Sequence, residues 1–290
     1  MKGLFENRSM LFQIGLLIYL LIAGSLLSFG ILALLGESEA DNFYHIQTSQ
    51  FISDILSYLM PALGVAFMCS REPKKYLSVG KIDNFKNVAI AVLIMIAVTP
   101  TIEFATFLNS EMTLPHFMAP IENWMREMED RLTEIVESLL TRDDAISLII
   151  NIIVIGVMAG ITEEFLFRGA LLSIIRKKIK NPHVAIWIVA IIFSAVHLQF
   201  FGFIPRMLLG ALLGYLLYWT GNIWVPVIAH AFNNTLLILC VYFGVFGGEE
   251  SFITEETNAN DMIIIGLLAV VGLIIFVFCV KGMRKSQVPD

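Results

Sequence analysis

"AISLIINIIVIGVMAGITEEFLFRGALLSII", residues 145–175, is apolar enough to cross a bilayer as one helix, yet it carries Glu163, Glu164 and Arg168. Each charge at the centre of a spanning helix costs about 2.5–3.5 kcal/mol on insertion scales, so the three together penalise this segment by roughly 8 kcal/mol before pairing. Glu164 and Arg168 stand at i and i+4 with the acid N-terminal, the favourable order, and can neutralise each other. Glu163 points about 100° away on the same helix. It has no obvious partner in its own span.

The rest of the chain supplies the membrane context. Of its 290 residues, 57% are hydrophobic and 15% charged, and the mean hydropathy is +0.79. No ordinary soluble domain has this composition. Apolar windows of about 20 residues mark spanning helices, since only a helix satisfies its backbone hydrogen bonds without water. Eight such windows lie near 10–35, 50–70, 88–108, 145–175, 182–201, 207–219, 222–246 and 262–280. The expected fold is an all-α, polytopic bundle. Lys2 and Arg8 before the first window, with Ser38-Glu39-Ala40 after it, resemble a signal peptide. An apolar core of about 7–15 residues would fit one, whereas 10–35 is longer and is read as an uncleaved span.

Basic residues test the topology, because they concentrate in short inner loops. With the N-terminus inside, the inner segments hold Lys2 and Arg8, then Arg71, Lys74, Lys75, Lys81 and Lys86, then Arg176, Lys177, Lys178 and Lys180, then Lys281, Arg284 and Lys285. These are 14 of the 19 Lys and Arg residues. Outer segments hold only Arg126, Arg131, Arg142 and Arg206. Both termini are therefore expected to be cytoplasmic, in a prokaryotic plasma membrane. No basic stripe points to nucleic acid, and Cys69, Cys240 and Cys279 show no metal or redox spacing.

The outer connection 109–144 places Ile121, Trp124, Met125, Met128, Leu132, Ile135, Val136 and Leu139 at helical spacing against Glu127, Asp130, Glu134 and Glu137. An amphipathic helix is expected near 118–140. It lies either at the membrane interface or as a lid over a substrate entrance.

Two further spans carry polar residues. "FSAVHLQF" (193–200) sets Phe193 and His197 at i and i+4, and "IAHAFNNTLL" (228–237) does the same for His230 and Asn234. Counting 1.5 Å per residue from the inner edge puts Glu163 about 18 Å deep, His197 about 22 Å, His230 about 12 Å and Asn234 about 18 Å. Tilt can bring them level. Gly156 with Gly160 and Gly210 with Gly214 are small-xxx-small pairs that allow close helix packing.

Two Glu, two His, an Arg and an Asn on three spans would each be desolvated without compensation unless they met one another. Together they could hydrolyse a peptide bond, with Glu163 as base, His197 holding water, and His230 and Asn234 donating to the oxyanion. The same set could hold zinc through His197, His230 and Glu163 with one open position, although no H-E-x-x-H helix is present. A G-x-S-x-G elbow is also absent. Asp54 falls near the outer edge of the second window and Asp83 in a loop, so an aspartate pair at catalytic depth is not expected.

The order E-E-x-x-x-R, F-x-x-x-H and H-x-x-x-N, each on an apolar span, resembles the CPBP family of CAAX-processing and bacteriocin-processing intramembrane endopeptidases, also called the abortive-infection family. The resemblance covers about 145–246. It implies that Glu163 activates water, that His197 is its partner, that His230 and Asn234 form the oxyanion side, and that Glu164, Arg168 and Phe193 support them. Asn233, at i+3 from His230, could take the place of Asn234. It leaves open whether catalysis uses glutamate alone or zinc, and whether the substrate is a prenylated CAAX protein or a leader-type peptide. The division expected is 1–144 for N-terminal spans and the amphipathic segment, 145–246 for the catalytic core, and 247–290 for an acidic loop and last span. Two other functions remain open: a non-proteolytic scaffold or immunity protein, and a transporter, which would need two similar halves that the sequence lacks. Phe193, Phe200, Phe201 and Phe203 could line a cavity for a lipid tail or form an interfacial belt.

Overall fold

The computed structural model describes residues 2–35, 43–244 and 259–283. The Ser38-Glu39-Ala40 tripeptide, the acidic loop from 247 and the basic pair Arg284 and Lys285 lie outside the described residues. Helices follow one another as α1 Met10–Leu35, α2 Phe43–Cys69, α3 Pro73–Tyr76, α4 Phe85–Ser110, α5 Ala119–Leu140, α6 Ala145–Arg176, α7 Pro182–Ala195, α8 Phe203–Thr220, α9 Trp224–Tyr242 and α10 Ala259–Gly282. No strand occurs among the described residues. Seven helices are long and apolar enough to span a bilayer, and α7 is apolar but shorter. The chain is an integral membrane protein.

Local chemistry sets the ends of these helices. Asp144 caps α6 by accepting from the Ser147 N–H at 2.9 Å, and Asn181 caps α7 by accepting from His183 N–H at 2.9 Å, with Pro182 at the first turn. Gly221 closes α8 at φ +66°, where its N–H donates to the Leu217 carbonyl at 2.7 Å. The fifth expected span differs from what forms. Its apolar run continues to Phe201, but the helix stops at Ala195 and Leu198 turns the chain at φ +56°. The aromatic residues beyond it made a loop look like a span.

The helices are layered by burial. In the most apolar windows, buried residues rise from 11% in α1 and 17% in α10 to 39% in α6, α8 and α9. α6 packs against α2 and α9, α7 against α8, and α4 against α8, α9 and α10. One apolar cluster joins Leu17, Val65, Leu166, Ile174, Val189 and Leu217, while a second joins Ile94, Met95, Leu213, Leu216 and Ala229. Lipid is the natural partner of the outward side of α10, where Ile263, Leu267 and Phe278 are more than half exposed.

The small-xxx-small pairs sit where helices touch. A Cβ at Gly160 would lie 2.9 Å from the Ala231 nitrogen of α9, and one at Gly156 would meet the Thr235 hydroxyl at 2.7 Å. Gly210 and Gly214 do the same for α8 against Phe193 and Ile186 of α7. The first contact joins two motif-bearing helices, α6 and α9, and the second seats α8 against the helix of Phe193. Gly160→Ala should therefore lower the melting temperature in detergent, since overpacking typically costs about 1–3 kcal/mol. Gly15→Ala, at a position with nothing within 4 Å, should leave it unchanged or raised, because alanine favours helix by about 1 kcal/mol. Equal melting temperatures for the Gly160 variant and wild type would disprove the close α6–α9 contact.

Candidate active site

α6 is not a regular helix. Wide π turns occupy 152–158 and 165–171, and a normal α stretch, 159–164, lies between them. Such turns recur at functional sites because the extra residue re-aims side chains. The two carboxylates sit at the junction with the second wide turn. Arg168 Nη1 donates to Glu164 Oε1 at 2.6 Å, and both side chains are fully buried. Arg168 Nη2 donates to the Gly210 carbonyl of α8 at 2.8 Å, and its guanidinium lies 4.5 Å from the Phe193 ring centre of α7. One cation thus joins three helices.

His230 of α9 completes the buried chain. Its Nδ1 lies 2.9 Å from Glu164 Oε1. A carboxylate paired with arginine only accepts, so Nδ1 carries the proton. That leaves Nε2 facing Glu163, whose Oε2 is 3.9 Å away. Glu163 is the less enclosed of the two acids, with 18% of its side chain exposed against none for Glu164. The Glu164–Arg168 pairing expected in α6 is present, and Glu163 stands outside it.

His197 stands on the turn after α7. Its Nδ1 lies 2.7 Å from the Phe193 carbonyl, an acceptor, so the proton belongs at Nδ1 and Nε2 is left for other partners. Asn234 donates from Nδ2 to the Ile155 carbonyl at 3.2 Å, inside the first wide turn of α6. Its amide has a second hydrogen to offer. Of the two neighbouring asparagines, Asn234 is the one whose amide meets α6 in this way.

Some sequence expectations fare differently. Phe193 is buried among Phe167, His197, His230 and Arg168, whereas Phe200 packs on Trp124 and Phe201 under Arg126, both on α5. The proposed aromatic cavity is thus divided between two places. Among the described residues, no three His, Cys, Asp or Glu side chains converge as a metal-binding group. His230 Nδ1 is held by Glu164 and His197 Nδ1 by a backbone carbonyl, which leaves Nε2 of each ring, the nitrogen a zinc-binding histidine normally uses.

Asp54 is the residue the sequence reading misplaced. Its helix begins at Phe43 rather than near 50, so Asp54 lies well inside α2 and is 3% exposed. It occupies the wide turn 54–59, which packs on the 159–164 stretch of α6. Gln50 donates to its Oδ1 at 2.7 Å. The signal was available, since an ionisable residue in an apolar window marks a functional position by default.

Comparison with known proteins agrees with the motif reading. Residues 145–236 match the family described as type II CAAX prenyl endopeptidase, Rce1-like, so the CPBP resemblance is shown over this segment. "Uncharacterized protein YpbD" of Bacillus subtilis (strain 168) is 34% identical over 84 residues, which make up 28% of this chain and 40% of that protein. The chain therefore spans about two fifths of the length of that relative. No solved structure matches.

The buried ion pair makes a prediction about stability. Arg168→Met leaves the Glu164 charge without its partner and should cost about 3–5 kcal/mol, measured by reversible unfolding in micelles. The double variant Glu164→Gln with Arg168→Met should cost clearly less than the sum of the single changes. Additive losses would mean that the two side chains are not energetically coupled.

Proposed function

We propose that this chain is an intramembrane endopeptidase that hydrolyses a peptide bond of a membrane-associated protein or peptide, of CAAX or leader type, with Glu163 as the water-activating base. The observation that carries this reading is the contrast between adjacent carboxylates. Glu164 is fully enclosed by Arg168 and His230, while Glu163 remains partly accessible beside His230. The family match over 145–236 supports it, because every residue assigned a role falls inside that range.

In this mechanism Glu163 takes a proton from water as the oxygen attacks the scissile carbonyl carbon. His197, held at Nδ1 by Phe193, orients that water through Nε2. Negative charge builds on the carbonyl oxygen, where the second Asn234 hydrogen stabilises it; the His230 ring, its Nδ1 proton committed to Glu164, lines the same side. Glu163 then passes its proton to the departing nitrogen, the C–N bond breaks, and a carboxylate and an amine leave. Preorganised donors of this kind act strongly where bulk water is excluded. Glu164 and Arg168 hold His230 and α8 in place, and Phe193 covers the guanidinium. Residues 145–246 form the catalytic core, with the preceding helices and the last one around it and both termini cytoplasmic.

A scaffold would retain the buried pair for packing alone, and Glu163 separates the two readings. Glu163→Gln should abolish processing, with a loss of roughly 10²–10⁴-fold for general acid–base chemistry, while the melting temperature stays near that of wild type. The measurement compares peptide termini in membranes from cells expressing wild type or Glu163→Gln. Identical peptide sets would sink the protease reading. Cleavage of a substrate identified this way should also survive strong chelators in purified protein. Stoichiometric zinc lost together with activity would overturn the metal-free mechanism.

A further inference from the structure

The turn that carries His197 has little support of its own. Beyond Ala195 it is closed by backbone bonds from His197 to Ser194 and from Leu198 to Ala195, at 3.3 and 3.2 Å. Leu198 then reverses the chain at φ +56°, a conformation that costs an L residue roughly 1–2 kcal/mol and persists only where the surroundings enforce it. Within the family-matched segment, Ser194 Oγ donates to the Phe203 carbonyl at 2.6 Å, and Arg206 holds Gln199.

The remaining ties come from helices outside that segment. Asn109, in the last turn of α4 and 3% exposed, donates from Nδ2 to the Phe200 carbonyl at 3.1 Å. Its Oδ1 accepts from the Ile204 N–H at 2.7 Å. A single side chain thus bridges both sides of the loop. Glu129 of α5 accepts from the Phe201 N–H at 3.2 Å, and Arg126 lies 4.3 Å from the centre of the Phe201 ring. Glu122 fixes Arg126 at 2.8 Å and also accepts from the Leu114 N–H at 2.9 Å. The far end of α5 is held separately, where Leu140 packs with Ile238 and Val241 of α9 and the Leu139 carbonyl accepts from Asn151. α5 is therefore a strap fixed at its C-terminal end to the helix of Asn234 and along its first half to the loop of His197. Burial pushes the Glu129 carboxyl up from its ordinary range, and the Phe201 amide partly opposes this.

We propose that Asn109 and Glu129 are positioning residues for His197: they clamp the backbone of 200–204 and so fix the reversed turn on which the imidazole stands. The proposal rests on the reading of His197 as a site residue of the protease. A release of the clamp lets Leu198 leave its left-handed conformation. His197 then swings away from the line set by its bond to Phe193, and the water it orients is lost.

The test uses full-length protein in micelles and reads the loop and the ring separately from activity. Asn109→Ala and Glu129→Ala should raise amide hydrogen exchange at Phe201 and Ile204 at least tenfold and should shift or broaden the His197 ring signals of histidine-labelled protein. Glu129→Gln keeps an acceptor for Phe201 and should restore both. Asn109→Asp keeps the acceptor for Ile204 and serves if the alanine variant does not fold, with a smaller change expected. With a substrate found by the Glu163→Gln comparison, the alanine variants should lose at least tenfold in kcat at nearly constant KM. Unchanged exchange overturns the clamp, and raised exchange with an unmoved His197 signal and unchanged kcat overturns the positioning role. If no substrate is found, the protease reading fails on its own, and the exchange and ring signals still decide the clamp.

Discussion

The organisation of the site depends on one enclosed charge, the guanidinium of Arg168. A cation with no exposure has to find its compensation in the protein, and here it does so on three helices at once: Glu164 one turn earlier on α6, the Gly210 carbonyl on α8 and the Phe193 ring on α7. Through Glu164 the same network reaches His230 on α9. The desolvation cost of such a charge is several kcal/mol unless every partner is in place. Relative positions of four helices are thereby restricted to those that keep the network whole. The geometry of the candidate site and the folding of the bundle share the same constraint.

Glycines make that network reachable. Arg168 can bond to the Gly210 carbonyl only if α8 comes close, and a side chain at Gly210 would run into Phe193. Gly160 likewise lets α9 approach α6 until His230 meets both carboxylates. In a bilayer, where apolar surface gains little by leaving lipid, this close fit and the enclosed polar bonds carry much of the association.

Much of this was legible in the sequence, for physical reasons. Apolar windows report spans directly, and the spacing of Glu164 and Arg168 on a helix fixes their pairing without any knowledge of the fold. The amphipathic pattern of 121–139 likewise produced the helix observed at Ala119–Leu140. What escaped depended on non-local packing. Hydropathy alone sets Asp54 at an edge, because the polar start of α2, which includes His45, Gln47 and Gln50, hides seven helical residues from an apolar window. The end of α7 was hidden in the opposite way, since Phe200 and Phe201 are as apolar in a loop packed on α5 as they would be in lipid. Asn109 and Glu129 belong to unremarkable polar stretches, and only the fold shows that their partners lie some 90 and 70 residues further on.

The shortness of α7 has a consequence for solvent. Its 14 residues extend about 21 Å at 1.5 Å per residue, against about 30 Å of hydrocarbon. One end of α7 must therefore stop below a membrane surface, and non-helical backbone at that depth survives only inside protein or against water. His197 stands where the helix stops. A full-length span would have kept this level of the bilayer dry. On the function proposed above, the truncated one gives water, the second reactant of a hydrolysis, a level at which to meet the histidine.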